Sequence, residues 1–296
     1  LTLRRFLTDK AFRQAHLSKV TDPEVRYYWE KEYPLQTGRS EASVLTRLDT
    51  FLRHKTIRNM VAQPKSSIDF NQVMDERKIL LVKLSHGAIG EENAYLLGTL
   101  IVTAIHQAAL RRQSKVQSER VPFYLYADEF QNFVTPSMEA ILSGARKYNL
   151  GLILAHQERR QLLSKDREVA SSVLSNPYTR ICFRMGHEDA STLAKGLSYF
   201  DANDLQNLGI GEAIVRTEQT QYDFNLGVPW NKPTPLNTTH IDEITEFSQK
   251  AYGKPKADIE AIVQKFYGQP QNHTPPDKPP TASPKRTAPP TKPKST

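Results

Sequence analysis

Two periods of apolar residues alternate along this chain, and they divide it. In LTLRRFLTDKAFRQAHL, residues Leu3, Phe6, Leu7, Phe12 and Leu17 recur at roughly helical spacing. In SVLTRLDTFLRHKTIRNMV, residues Val44, Leu45, Leu48, Leu52 and Ile57 share one face. No strand pattern interleaves with them, so residues 1–66 read as a helical region. From Ser67 short apolar runs alternate with helical stretches, the signature of a parallel α/β sheet. Strands are predicted at Lys78–Leu84, Phe123–Ala127, Leu150–His156, Tyr178–Arg184, and around Glu212–Thr217 and Tyr222–Leu226. Helices are predicted at Ile89–Arg112, at Pro136–Tyr148, at about Arg167–Ser175 and from near His187. Strands that are apolar throughout, rather than alternating, predict a sheet covered on both faces. This α/β part spans residues 67–230. A short helical extension, 231–268, follows, with two amphipathic helices between Ile241 and Tyr267 broken at Gly253–Pro255.

The stretch YLLGTLIVTAIHQAAL, from Tyr95 to Leu110, is interrupted by Thr, His and Gln and falls short of the roughly 20 residues of a membrane span. It reads as a buried helix. Residues 269–296 hold nine prolines among Lys, Thr and Ser, a composition that cannot pack a core and predicts a disordered basic tail. Either it is a solvated extension, or it makes a loose electrostatic contact with nucleic acid or an anionic surface. That tail carries half of the net charge of +8. The globular part is thus only mildly basic, which is compatible with nucleic acid but does not argue for it alone. The single cysteine, Cys182, forms no internal disulfide, and a reducing cytosol is the expected compartment. At 296 residues and 38% apolar content, one sizeable core can be buried.

Candidate chemistry centres on FYLYADEF, where an apolar strand ends in Asp128 and Glu129. A strand leaving a sheet must end somewhere polar, so the run alone is weak evidence. Position strengthens it, because the C-terminal ends of parallel strands form the edge where ligands bind. The next strand, GLILAHQ, ends at the same edge in His156 and Gln157. A side-chain amide there can sense a γ-phosphate or the attacking water, or it can bond a neighbouring backbone. In the intervening TPSMEAILSGARKYN, Thr135 and Pro136 suit a helix start, and Asn149 suits a left-handed stop. Met138, Ile141, Leu142 and Ala145 form the inward stripe. Arg146 and Lys147 fall in the last turn, where they complement the helix dipole or where Arg146 reaches a phosphate on a neighbouring subunit.

The run FYLYADEFQNF, then ILSGARKYNLGLILAHQ, Gln161-Leu162 and NPYTRICFRMGHEDA resembles the HerA/FtsK superfamily of hexameric motor ATPases. Within it the likeness is to type IV secretion (conjugative) coupling proteins of the TraD/TraG kind, and it extends from about Leu1 to Thr217. The resemblance implies a RecA-like three-layer (αβα) fold with a mostly parallel sheet, here incomplete. It implies ATP and Mg²⁺ as cofactors, DNA and a homo-hexamer as partners, and relaxosome or secretion-channel proteins as further partners. Asp128 becomes the Mg²⁺-associated Walker B acid, Glu129 the catalytic carboxylate, Arg146 the arginine finger and Gln157 the γ-phosphate sensor. Arg180 and Arg184, in TRICFR, are weaker candidates for nucleotide or subunit-interface contacts; a pair of charges on one face of an edge strand explains them as well.

One departure stands out: no Gly-x-x-x-x-Gly-Lys-Ser/Thr occurs, the loop through which the family holds phosphates. HGAIGEE, from His86 to Glu92, lacks the Lys, and its acids repel phosphate, so it reads as a turn followed by an acidic first helical turn. Either the phosphate loop lies upstream, as the opening Leu1 suggests, or the chain is a degenerate relative without hydrolysis. With an upstream loop the expected activity is ATP-driven DNA translocation; without it, a non-catalytic interaction module of a transfer apparatus. Protein export and HerA-like DNA processing keep the ATPase and change its cargo. The expected location is cytoplasmic, at the inner membrane face if an upstream anchor exists. His86, His106, His156 and His187 lack metal-ligand spacing, and Ser143 lacks the Gly-x-Ser-x-Gly turn of a nucleophile elbow.

Overall fold

Short helices of the N-terminal region begin where an aspartate accepts backbone N–H groups that have no intrahelical partner. Asp9 accepts from Phe12 ahead of Lys10–Leu17, and Asp22 accepts from Glu24 and Val25 ahead of Pro23–Tyr27. These are features of a computed structural model, which describes residues 1–35, 39–134, 137–219, 221–229 and 238–268. The predicted tail 269–296 and the predicted cap Thr135–Pro136 lie outside the described residues. The chain divides into two compact units, Leu1–Leu52 with Glu260–Thr296, and Arg53–Ile259.

In the first unit aromatic rings form the packing contacts. Phe6 meets Trp29 edge-on at 4.8 Å, Trp29 meets Tyr33 at 4.6 Å, and the Arg13 guanidinium lies 4.9 Å from the centre of the Tyr33 ring. Arg5 stands over both Phe12, at 4.6 Å, and Phe266, at 5.5 Å, which ties the helix Lys256–Gly268 to the N-terminal helices. Such cation–π contacts stabilise by about 0.5–1 kcal/mol each at partly exposed sites.

The second unit is built on two sheets. β1 (Phe123–Ala127) and β2 (Leu150–Leu154) pair in parallel, with Phe123 opposite Leu150 and Ala127 opposite Leu154. A parallel pair needs a crossover, and α2 (Ser137–Gly144) supplies it, ending in a 3₁₀ turn and stopping at Asn149 in the left-handed region, φ 57°. Its predicted inward residues Met138, Ile141 and Ala145 are buried. They share a core with Val102, Ile105, Ala108 and Ala109 of α1 (Glu91–Arg111), with Phe130, and with residues of α3 (Arg159–Lys165) and α4 (Arg167–Ser175). α1 is long and apolar enough by composition to cross a membrane, and the stripe Ala94, Gly98, Val102, Ile105, Ala109 is buried in the protein. Gly98 is required there, because a Cβ would lie 2.3 Å from the Phe133 ring and 2.8 Å from Leu84.

The α/β class and the parallel pairing agree with the sequence expectation; three details differ. Lys78–Leu84 runs without a ladder partner among the described residues, leaving Ile79 88% exposed, so its apolar pattern does not make it a strand. Among the described residues the β1–β2 sheet is covered on one face, with Tyr124, Tyr126 and Ile153 exposed on the other. And the last three strands, β3 (Thr179–Cys182), β4 (Glu212–Thr217) and β5 (Asp223–Gly227), form an antiparallel sheet of their own in the order β3-β4-β5. β4 and β5 are joined by too few residues for a crossover, which forces antiparallel pairing. β3 reaches β4 through α5 (His187–Leu193) and α6 (Ala202–Gln206). Those helices cover Cys182 and Ile214 with Ala190 and Leu205, joined by Leu208 just after α6.

The starting edge of the parallel sheet is fastened by Arg112, 3% exposed. It donates to the carbonyls of Val121, at 2.7 Å, and Tyr148, at 3.2 Å, and pairs with Asp75 at 3.2 Å. One guanidinium thus holds the entries to β1 and β2 together.

Candidate functional site

At the finishing edge the β1–β2 ladder continues for one more step, with Ala155 N–H donating to Ala127 and Phe130 N–H donating to Ala155, both at 3.0 Å. Between Ala127 and Phe130 the chain must reverse. It does so with Glu129 in the left-handed region, φ 48° and ψ 44°. For a residue with a Cβ this conformation costs about 1–2 kcal/mol. Complete burial of Phe130 and its ladder bond offset that cost. Asp128 Oδ1 accepts the Glu129 N–H at 3.0 Å and its side chain is left exposed.

The reversal aims the Glu129 carboxylate across the gap to β2. Its Oε1 accepts a short hydrogen bond from the Gln157 side-chain amide. Its Oε2 accepts from Gln131 Nε2 at 2.5 Å. Two residues singled out from the sequence, Glu129 and Gln157, are therefore in direct contact, with Asp128 beside them. Gln131, 4% exposed, was missed. Its signal was a polar pair, Gln131-Asn132, between two phenylalanines in the turn that follows the two acids.

His156 stands edge-on to Phe130, ring centres 5.5 Å apart. Burial pushes its pKa down, while Asp189 and Glu129 pull it up. Asp189, in the first turn of α5, also reaches the exit of β2. Its carboxylate accepts the backbone N–H of Arg159 at 3.2 Å and stands 3.5 Å from the Arg159 Nε. The contact fixes the segment that leaves β2 through Gln157. Tyr95, bonded to Glu91 at 2.6 Å, has its pKa raised chiefly by that bond, with a smaller contribution from Glu129.

The remaining predicted residues are elsewhere. Arg146 is exposed in the 3₁₀ turn Ala145–Tyr148, before β2 begins. It is thus at the opposite edge of the sheet from Glu129, one five-residue strand away, about 16 Å at the parallel rise. Arg180 lies on β3, opposite Arg216 of β4. Arg184 is exposed just after β3.

A half-buried carboxylate clamped by two amides, next to an exposed carboxylate, can polarise a water molecule and stand near a cation held through water. This donor set fits the acidic side of a Mg²⁺–nucleotide site. It contains nothing that cradles phosphates.

Residues 122–203, which hold this edge, match the family described as the TraM recognition site of TraD and TraG. Through that segment the chain is related to the TraD/TraG-like type IV coupling proteins. An uncharacterized protein of Mycoplasma pneumoniae is 28% identical over 135 residues, 44% of this chain and 87% of that protein. The unbound conjugative coupling protein TrwBΔN70 superposes with a TM-score of 0.52 at 11% identity, covering 73% of this chain and 57% of its own. The plasmid coupling protein TrwB with the GTP analogue GDPNP gives 0.51 at 11%, with the same coverage. At that identity the likeness establishes the fold, an α/β architecture of the TrwB type. The chain spans 57% of the length of these solved structures.

Proposed function

We propose that this chain forms the acidic half of the nucleotide site of an ATP-driven motor that moves DNA during conjugative transfer through a type IV secretion apparatus. The observation that carries the reading is the direct bond between Glu129 and Gln157 at the finishing ends of two adjacent parallel strands. In this role Glu129 orients the attacking water, Gln157 senses the γ-phosphate, and Asp128 holds Mg²⁺ through water. When bound, Mg²⁺ neutralises charge on the phosphates. The solved TrwB structure with GDPNP supports nucleotide as the ligand. A phosphate-holding loop has to come from sequence beyond this chain. Arg146, remote from Glu129 within one chain, is suited to serve the site of a neighbouring subunit in a hexamer. Cytoplasmic placement, at the membrane face if an anchor is present, follows from the same reading.

The test is ATP hydrolysis, with and without DNA, by the natural protein that carries this sequence together with its upstream region. Glu129→Gln is expected to keep nucleotide binding and to lower turnover by about 10²- to 10⁴-fold, the usual contribution of a positioned base. Normal turnover in that variant removes the assignment.

A second reading rests on the family match across residues 122–203, whose description is a recognition site. In it the chain docks a relaxosome protein and hydrolyses nothing. Pull-down of such a partner by a protein without ATPase activity, and with Glu129→Gln unchanged in transfer, favours this second reading.

A further inference from the structure

The antiparallel sheet opposes two cations. Arg180 on β3 is the registered partner of Arg216 on β4, and Arg216 is in turn the registered partner of Asp223 on β5. The three side chains form one row across the sheet, on the same face as Cys182 and Ile214. Directly opposed like charges destabilise a ladder. Asp223 does not neutralise them: its Oδ2 is occupied by the backbone N–H groups of Ser198, at 2.7 Å, and Tyr199, at 3.0 Å. Its Oδ1 has no hydrogen-bond partner, and no ion pair joins it to either arginine among the described residues.

The guanidinium groups converge on one point. A Cβ built on Gly196 would lie 3.2 Å from Arg216 Nη1 and 3.6 Å from Arg180 Nη1. Few of their N–H donors are used. Arg180 Nη2 donates to the Leu174 carbonyl at 2.5 Å, and Arg216 Nη1 reaches the Gly196 carbonyl only at 3.5 Å. Arg216 Nε is buried without a partner. Burial and the neighbouring Arg216 both pull the Arg180 pKa below its ordinary value, as expected of a cation lacking its counter-ion.

We propose that Arg180 and Arg216, over Gly196, bind a phosphate group. Planar guanidinium forks match the oxygens of a phosphate, and such charge-assisted bonds are among the stronger ones available to a protein surface. The anion cancels the repulsion between the strands and meets the free donors, so binding stabilises the β3-β4-β5 sheet. The site stands on this geometry alone and does not depend on ATP hydrolysis elsewhere.

The experiment is thermal unfolding of the full chain in sodium phosphate against sodium chloride at matched ionic strength. A saturable rise in Tm specific to phosphate is expected, because a ligand that binds only the folded state stabilises it by mass action. Arg216→Gln should weaken phosphate binding about ten- to a hundredfold, the loss expected for one charge-assisted bond. Gly196→Ala keeps both charges and fills the point where they converge. Gly196 has an ordinary backbone angle, so this variant tests the site even if Arg216→Gln fails to fold, and it too should lose the phosphate shift. Competition by ADP or by a short oligothymidylate tells whether the phosphate belongs to a nucleotide or to a nucleic-acid backbone. No phosphate-specific rise, or an undiminished rise in Gly196→Ala, overturns the proposal.

Discussion

Gln157 donates its side-chain amide to the carboxylate of Glu129 across the gap between two parallel strands, joining residues 28 apart in sequence. Each side chain is where the other needs it because the strands are registered, Ala127 against Leu154, and both chains leave the sheet at the same edge. Gln131 holds the second carboxylate oxygen, so Glu129 is oriented from two sides.

A double-mutant cycle should detect that bond. Hydrogen bonds to a charged group contribute about 1.5–3 kcal/mol when buried, and the exposure of Gln157 reduces this to about 1 kcal/mol here. Urea unfolding of Glu129→Ala, Gln157→Ala and the double variant gives the coupling energy. A coupling of zero would mean the two side chains do not meet in solution.

Gly98→Ala should destabilise the second unit. The added methyl runs into the Phe133 ring and Leu84, and forcing a methyl into a filled core costs about 1–3 kcal/mol. The expected readout is a lower urea midpoint with an unchanged slope. Because Phe133 follows the turn that carries Gln131, the same variant should also loosen the Glu129 clamp.

Arg112→Met tests the other edge of the sheet. The substitution keeps much of the volume but leaves the Val121 and Tyr148 carbonyls without their donor and removes one of the two cations beside Asp75, which keeps Lys115 at 2.6 Å. Leaving a buried carbonyl without its partner costs about 1–3 kcal/mol. Calorimetry should show a large fall in Tm. A change below about 1 kcal/mol would indicate that β1 and β2 keep their register without the guanidinium.

Acidification should weaken the fold through His106 and His156. Both have pKa values held below the ordinary imidazole value of about 6.5, at His106 by burial and at His156 by burial against the pull of Asp189 and Glu129. A lowered folded pKa means that the unfolded chain takes the proton more readily. The stabilisation is therefore complete above about pH 6.5 and is lost as pH falls through that value towards the folded pKa. Unfolding followed from pH 7.5 to about 5 should show this loss, and His156→Gln should make it shallower. An unchanged slope in that variant assigns the loss to other groups.

Much of the second unit was legible because its signals are local. Apolar runs bounded by polar pairs gave β1 and β2, the stripe from Met138 to Ala145 gave the crossover helix, and Asn149 gave its stop. The two carboxylates and Gln157 were legible for the same reason, as polar residues at strand ends. Lys78–Leu84 shows where such signals fail. Its residues suit a strand, but a strand is a property of a ladder, and this segment has no partner among the described residues.

The sequence alone determined which segments are apolar, where helices start and stop, and which polar residues end the strands, because these depend on neighbours a few positions away. Only the tertiary structure decided that Gln131 completes the Glu129 clamp and that Asp189 braces the exit of β2. It alone decided that β3, β4 and β5 form a separate antiparallel sheet, and that Arg180 faces Arg216 there. Those relationships are set by strand register and by the direction each chain takes on leaving a sheet. Residues with no proximity in sequence are brought together by hydrogen-bonded pairing, and no local pattern encodes which ones will meet.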